Sequence, residues 1–253
     1  MNAVAAVMYR EYKIRMTSLT WLFYDLVMPF AYLLVFGLGL DRAFGAGISV
    51  GGEVVRYNDF FLAGVLSMAC FGIAINTSYG FFIDRDNGIF YEFLTYPMTR
   101  GQLLMGKITF NCLTSVVQTL VAIVLGAWLL DIAIRWSTIW LVLAGVVVGT
   151  SAWFFFLAIF ALRIRRNDMF NTFLNVAYFV LMFVSSMFYP LEPMPGWLRS
   201  AAHFNPITWH TDALRYFTIG AGDFGTVLWE MGAFALFVLV SFWFAVRALQ
   251  RSA

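Results

Sequence analysis

The chain has 253 residues, 62% of them hydrophobic and 12% charged, with a formal net charge of +2. Soluble domains average about 45–50% apolar and about 25% charged residues, so this composition excludes an ordinary water-soluble protein and points to the bilayer. The small net charge gives no ground for a nucleic-acid partner, and none is expected; where the cations fall along the chain matters more.

Met1–Leu19 mixes Arg10, Lys13 and Arg15 with Glu11 and lacks the basic, apolar, small-residue order of a cleavable leader. Val4, Val7, Met8 and Ile14 suit one face of a helix lying on the membrane, with the cations among headgroups. Six runs then follow that are long enough to cross about 30 Å of hydrocarbon: Thr20–Leu40, Asn58–Ile83, Gly106–Leu130, Ser137–Leu162, Met169–Tyr189 and Phe224–Val246. Asp41–Tyr57 is a Gly-rich polar loop, and Asp131–Trp136 a tight turn. Pro190, Pro193 and Pro195 are expected to break the fifth run early. After them, Trp197–Ala202 and Thr208–Phe217 form two short helices joined at His203–Pro206, too apolar for an exposed loop. Residues 190–222 are therefore expected to dip back into the outer leaflet as a re-entrant hairpin. The fold class is an all-α polytopic membrane protein, one domain over residues 1–253.

A polar stretch, residues 84–104, interrupts these runs. Asp84, Arg85, Asp86 and Glu92 would each cost roughly 2.5–3.5 kcal/mol at the centre of a spanning helix, so the stretch belongs on a membrane face. Ile89, Phe90, Phe93 and Leu94 recur at helical spacing, which predicts a short amphipathic helix ended by Pro97. Thr99 and Gln102 have capping-box spacing, so a new helix starts there. Arg10, Lys13, Arg15, Arg85, Arg100, Lys107, Arg163, Arg165, Arg166, Arg247 and Arg251 fall on one side of the six-run topology, and that side is cytoplasmic by the positive-inside rule. Both termini and the polar stretch are then inside.

No converging set of catalytic side chains is visible. His203 and His210 lack neighbouring metal ligands and read as polar tips at the interface, and no metal site is expected. There is no phosphate-cradling G-x-x-x-x-G-K-[ST], so the chain is expected to bind no nucleotide in that way and no cofactor of its own. Among titratable groups, Asp25 lies inside a run, near its cytoplasmic end, and is expected to reach headgroups or pair with a cation of the N-terminal helix. Glu230 is expected to snorkel to the outer face. Cys70 and Cys112 sit in apolar runs as small hydrophobes. Phe71, Asn76, Trp153, Phe156, Phe179 and Phe183 are candidates to line a path for a lipid-like solute, though aromatics at such spacing equally pack or face lipid. An ion-coupled carrier or channel, and a lipid-acting enzyme built on the two histidines, stay open as alternatives.

Arg85, Gly88, Glu92, Pro97, Arg100, Gly106 and Lys107, in that order, resemble the segment between spans two and three in the membrane (permease) subunits of ABC-2 type exporters. Ile89 departs from the Thr common there, and Asn205-Pro206 with Ala213-Leu214-Arg215 is similar to the family's segment before the last span. The resemblance implies an exporter half in a bacterial inner membrane that pairs with a second permease subunit, among membrane lipid. Each half docks a separate ABC ATPase, which holds the ATP and Mg. It further implies that Asp84, Arg85, Asp86, Gly88, Glu92, Pro97 and Arg100 couple to that ATPase, with Asn205, Pro206 and Arg215 in the outer hairpin. The cargo would be hydrophobic or amphipathic: a drug, lipid, glycolipid or polysaccharide.

Overall fold

The computed structural model describes residues 2–17, 19–93 and 95–251, and of residues 19–22, 24, 26, 90, 91 and 251 the backbone alone. The expected membrane contacts of Phe90 and Leu94, and the side chain of Arg251, lie outside what is described. Among the described residues, α1 (Ala3–Thr17) and α2 (Leu19–Ala43) lead into a small hairpin, β1 (Ile48–Val50) and β2 (Glu53–Val55). Then come α3 (Tyr57–Asp86), α4 (Ile89–Phe93), α5 (Arg100–Leu129), a 3-10 turn at Trp136–Thr138, α6 (Ile139–Arg163) and α7 (Asn167–Phe183). The chain closes with α8 (Gly196–His203), α9 (Pro206–Ile219) and α10 (Phe224–Arg251).

Helix α3 is the axis of the bundle. Every residue from Tyr57 to Phe71 is buried, as a helix apolar on all sides requires. Close approach depends on small residues. A Cβ on Gly64 would lie 2.4 Å from the Met187 carbonyl oxygen, and one on Gly106 of α5 would lie 2.5 Å from Cβ of Val7 in α1.

Among the described residues, four segments are long and apolar enough to cross a membrane: Tyr57–Asp86, Arg100–Leu129, Trp136–Arg163 and Phe224–Gln250. The other two expected runs differ. The first forms α2, which continues past Leu40 to Ala43 and carries Pro29 inside it. The fifth forms α7, which has 17 residues and stops at Phe183 rather than Tyr189.

The reason for that early stop is not the proline trio. Asn205 Nδ2 donates to the carbonyl oxygens of Leu181 (2.7 Å) and Val184, and Ser185 Oγ donates to Met182 O (2.6 Å). These bonds satisfy the orphan carbonyls at the C-terminus of α7, and the chain turns beneath it. The expected Gly-rich loop is in part a hairpin: Gly51 (φ 58°) and Gly52 (φ 87°) form a two-residue turn of the primed kind, with Val50 paired to Glu53.

Helices α8 and α9 match the expected pair with slightly longer ends. Asn205 caps α9, accepting from Ile207 N at 3.0 Å, and Pro206 occupies the first turn, where its missing N–H costs nothing. Ile207, His210, Thr211, Leu214 and Thr218 of α9 are buried against the bundle, along one helical face.

Candidate coupling surface

At the lower end of α3 the backbone turns sharply. Asn87 N bonds to Ile83 O (3.0 Å) and Gly88 N to Arg85 O (3.1 Å), with Gly88 in the left-handed region (φ 76°) that only glycine enters without penalty. Helix α4 follows for five residues and ends where Thr95 N and Thr95 Oγ1 both reach Glu92 O, at 3.0 and 2.7 Å. That is before Pro97, so a threonine side chain rather than the proline closes it. Thr99 Oγ1 then accepts from Gln102 N (3.2 Å) while Gln102 Oε1 accepts from Thr99 N (2.9 Å), the expected capping box. Asp86, Glu92, Tyr96 and Pro97 are exposed on this short link between two long helices.

The remaining expected coupling residues face inward. Arg85 donates to the carbonyl oxygens of Ala161 and Ile164 (2.6 Å for the latter) at the end of α6, and its guanidinium lies 4.7 Å from the Phe82 ring centre. Arg100 Nη1 donates to Leu249 O (2.8 Å) in the last turn of α10. Both arginines satisfy free carbonyls at the negative ends of helix dipoles. Asp84, expected to face a soluble partner, is 6% exposed. Arg10 grips it with two bonds of 3.0 and 2.6 Å, and Lys107 Nζ approaches it at 2.7 Å.

Asp84 belongs to a charged layer behind the surface. Lys107 Nζ also meets Glu11 at 2.7 Å, and Glu11 meets Arg10 at 3.1 Å. Burial works against the Arg10 charge, yet Asp84 and Glu11 hold its guanidinium above its ordinary range. Beside this group, Arg15 pairs with Asp25 and donates to Asn111 Oδ1 at 3.0 Å. Asn76 Nδ2 donates to Asp25 Oδ1 at 2.9 Å, and the Gln118 amide donates to the Asp25 carbonyl. Asp25 thus pairs with a cation of the N-terminal helix, as expected. Lys107, counted from sequence among the cations of the cytoplasmic side, is 2% exposed. A cavity of 370 Å³ opens between α1 and α3 at this layer, bounded by Arg15, Asn76, Asp84 and Asn111.

The six candidate path residues do not converge. Phe71 and Trp153 are fully buried and stack at 4.5 Å in the core. Asn76 serves Asp25. Phe156 borders an apolar groove of 680 Å³ between α6 and α7, with Met169, Phe173 and Val180. Phe179 (61% exposed) and Phe183 lie on the outer face of α7, their rings 4.6 Å apart. Among the described residues, no group of three or more His, Cys, Asp and Glu side chains is placed to hold a metal ion.

At the opposite end, the histidines part. His203 is exposed, whereas His210 is 2% exposed and brackets two helices: Nδ1 lies 2.9 Å from Ser67 Oγ in α3 and Nε2 3.2 Å from Gly145 O in α6. It is not the interfacial tip expected from sequence. A Cβ on Gly149 would sit 2.2 Å from its ring, so α6 carries glycine there to admit α9. Arg215 is also buried, bonded to Asp212, Ser186 O (2.7 Å) and Phe60 O (3.3 Å), with its guanidinium 3.8 Å from the Phe60 ring centre.

The profile of the ABC-2 type transporter family matches residues 2–219, from the start of α1 to the end of α9. The chain belongs to this family. It is 22% identical over 220 residues to a putative transport permease, ycf38, of Cyanophora paradoxa, covering 83% of this chain and 72% of that one. It is 27% identical over 211 residues to the daunorubicin resistance ABC transporter permease protein DrrB1 of Streptomyces coeruleorubidus, covering 81% and 70%. A probable multidrug ABC transporter permease, YbhR, of Escherichia coli is 26% identical over 162 residues, covering 63% of this chain and 43% of that protein. ABC-2 permeases are membrane transport subunits whose ATPase is a separate subunit. Family and apolar helices together make this chain a multi-pass membrane protein.

Proposed function

We propose that this chain is the membrane half of an ATP-driven exporter, crossing a bacterial inner membrane six times with both termini inside, α2 and α7 completing the set. The observation that carries the reading is the short link around α4 between two long helices, with Asp86, Glu92 and Tyr96 exposed along it. Those three side chains form the face offered to an ATPase that binds ATP and Mg. Force on α4 enters α3 through Gly88. It spreads to α1 and α5 through Asp84, Arg10 and Lys107, to α6 through Arg85, and to α10 through Arg100. The charged residues of the motif therefore divide into a contact face and struts behind it.

Helix α7 supplies the face for a second permease subunit, since Val176, Phe179 and Val180 are exposed along it. The adjoining groove along Phe156 and Phe173 suits a hydrophobic or amphipathic cargo, in line with the drug resistance named for the Streptomyces relative. The ion-coupled carrier alternative is weakened because Asp25 is already matched by Arg15.

Glu92→Ala in the reconstituted permease–ATPase complex tests the coupling role. Transport per ATP hydrolysed is expected to fall by about tenfold, within the span typical of coupling between sites, while insertion and basal hydrolysis persist. Unchanged transport per ATP would remove Glu92 from the coupling surface.

A further inference from the structure

At the end of the bundle away from α4, a cavity of 320 Å³ lies between the β-hairpin, the segment after α7, α9 and the start of α10. Its volume falls at the lower end of the roughly 300–1,000 Å³ range of small-molecule pockets. Acidic side chains outnumber basic ones around it: Glu192, Asp212, Asp223 and Glu230 share its lining with Arg199, Arg215 and His203.

Both arginines are engaged in the fold. Arg215 donates through Nε, Nη1 and Nη2 to Phe60 O, Asp212 and Ser186 O, and Arg199 donates through Nε and Nη2 to the carbonyl oxygens of Leu191, Glu192 and Met194. Asp223 caps α10 and accepts from Thr226 N (2.8 Å) and Thr226 Oγ1 (3.0 Å), which holds its carboxyl below the usual carboxylate range.

Glu230 stands apart from this bonding. It is 3% exposed, and its Oε2 is buried without a hydrogen-bond partner. A buried carboxyl oxygen left without a donor carries a cost that a bound donor would offset. Glu230 does not snorkel outward, the outcome expected from its place near the outer end of the last run; it is buried in the wall of the cavity. Phe60, Leu191 and Val227 add apolar wall.

We infer that this cavity is a binding site for an organic ammonium ion, whose N–H donors meet the unpartnered carboxyl oxygen of Glu230 while its apolar body lies against Phe60, Leu191 and Val227. The four carboxylates select for positive charge and against a phosphate joined to the amine, so a phosphatidylethanolamine headgroup is a poor fit. The site is independent of ATP coupling: it is read by equilibrium binding, so its failure and the failure of Glu92 coupling are separate results.

The test is calorimetric titration of the permease–ATPase complex in phosphatidylcholine nanodiscs, with empty nanodiscs subtracted. The probes are phenethylamine, its neutral isostere phenethyl alcohol, and glycerophosphoethanolamine. Saturable phenethylamine binding is expected, at least about tenfold tighter than either control, the scale of one charge-assisted hydrogen bond. Glu230→Gln, close in shape and uncharged, is expected to abolish that preference without lowering the thermal midpoint. Glu192→Gln, at the exposed rim, is expected to weaken amine binding about two- to threefold, which keeps the test open if Glu230→Gln fails to fold. Equal affinity for amine and alcohol, equal affinity for the phosphate-bearing probe, no saturable binding, or a preference that survives the glutamate substitutions would each overturn the assignment.

Discussion

Lys107 shows what a single position can hold in a low-dielectric layer. It lies about two turns into α5, counted from Arg100, and its ammonium is matched by Glu11 and Asp84 at 2.7 Å each. Breaking a buried ion pair from one side costs about 3–5 kcal/mol, because the partner charge is left uncompensated. Lys107→Met is therefore expected to lower the thermal midpoint of the purified protein sharply. Lys107→Met with Asp84→Asn should recover much of that loss, since the two form one network. Simple addition of the two single losses would show that they do not interact. Arg166–Asp168, with side chains 76% and 68% exposed, is the contrast, and Arg166→Ala should change stability by less than about 0.5 kcal/mol. The pairing of Asp25 was one of two outcomes legible in the sequence, headgroups or a cation of the N-terminal helix, and the structure takes the second. The partners of Lys107 were not legible. Counting cations by side reports topology, and nothing in the linear order brings Glu11 to position 107.

The elements divide in the same way. Helix α3 was legible almost to its ends, and so were α5, α6 and α10, because length and hydropathy decide a spanning helix. The two short helices α8 and α9 were legible from their prolines and aromatics. Where α7 stops was hidden, because the stop is made by Asn205, some twenty residues further on, rather than by Pro190. That side chain has two duties: its oxygen starts α9 and its nitrogen finishes α7. Asn205→Ala removes both and is expected to cost about 2–3 kcal/mol, roughly one cap and one buried carbonyl bond. Asn205→Asp keeps the acceptor and sets a carboxylate against two carbonyl oxygens, so it should cost at least as much. Full stability of Asn205→Asp in a detergent melting experiment would show that only the start of α9 matters. The burial of His210 was illegible for a related reason, since the opening it fills is made by Gly149 of another helix.

For the whole molecule, the charged layer ties α1, α3 and α5 together behind the link that carries α4. A bundle of apolar helices in lipid has little directional force between its members, so packing of small residues and polar contacts decide how they move together. Here Gly106 lets α1 lie on α5, while Asp84 and Arg85 tie the end of α3 to α1, α5 and the end of α6, and Arg100 ties the start of α5 to the end of α10. The residues of the motif legible in the sequence divide in the structure: Asp86 and Glu92 are exposed, while Asp84, Arg85 and Arg100 bond to other helices. The central claim is that α4 touches the ATPase, and disulfide cross-linking in native membranes addresses it most directly. With Cys70 and Cys112 replaced by Ser, Glu92→Cys is paired with single cysteines on the ATPase surface, and Asp223→Cys at the far end of the bundle serves as control. A permease–ATPase adduct from Glu92→Cys and none from Asp223→Cys is the predicted result; adducts from Asp223→Cys alone would contradict the account.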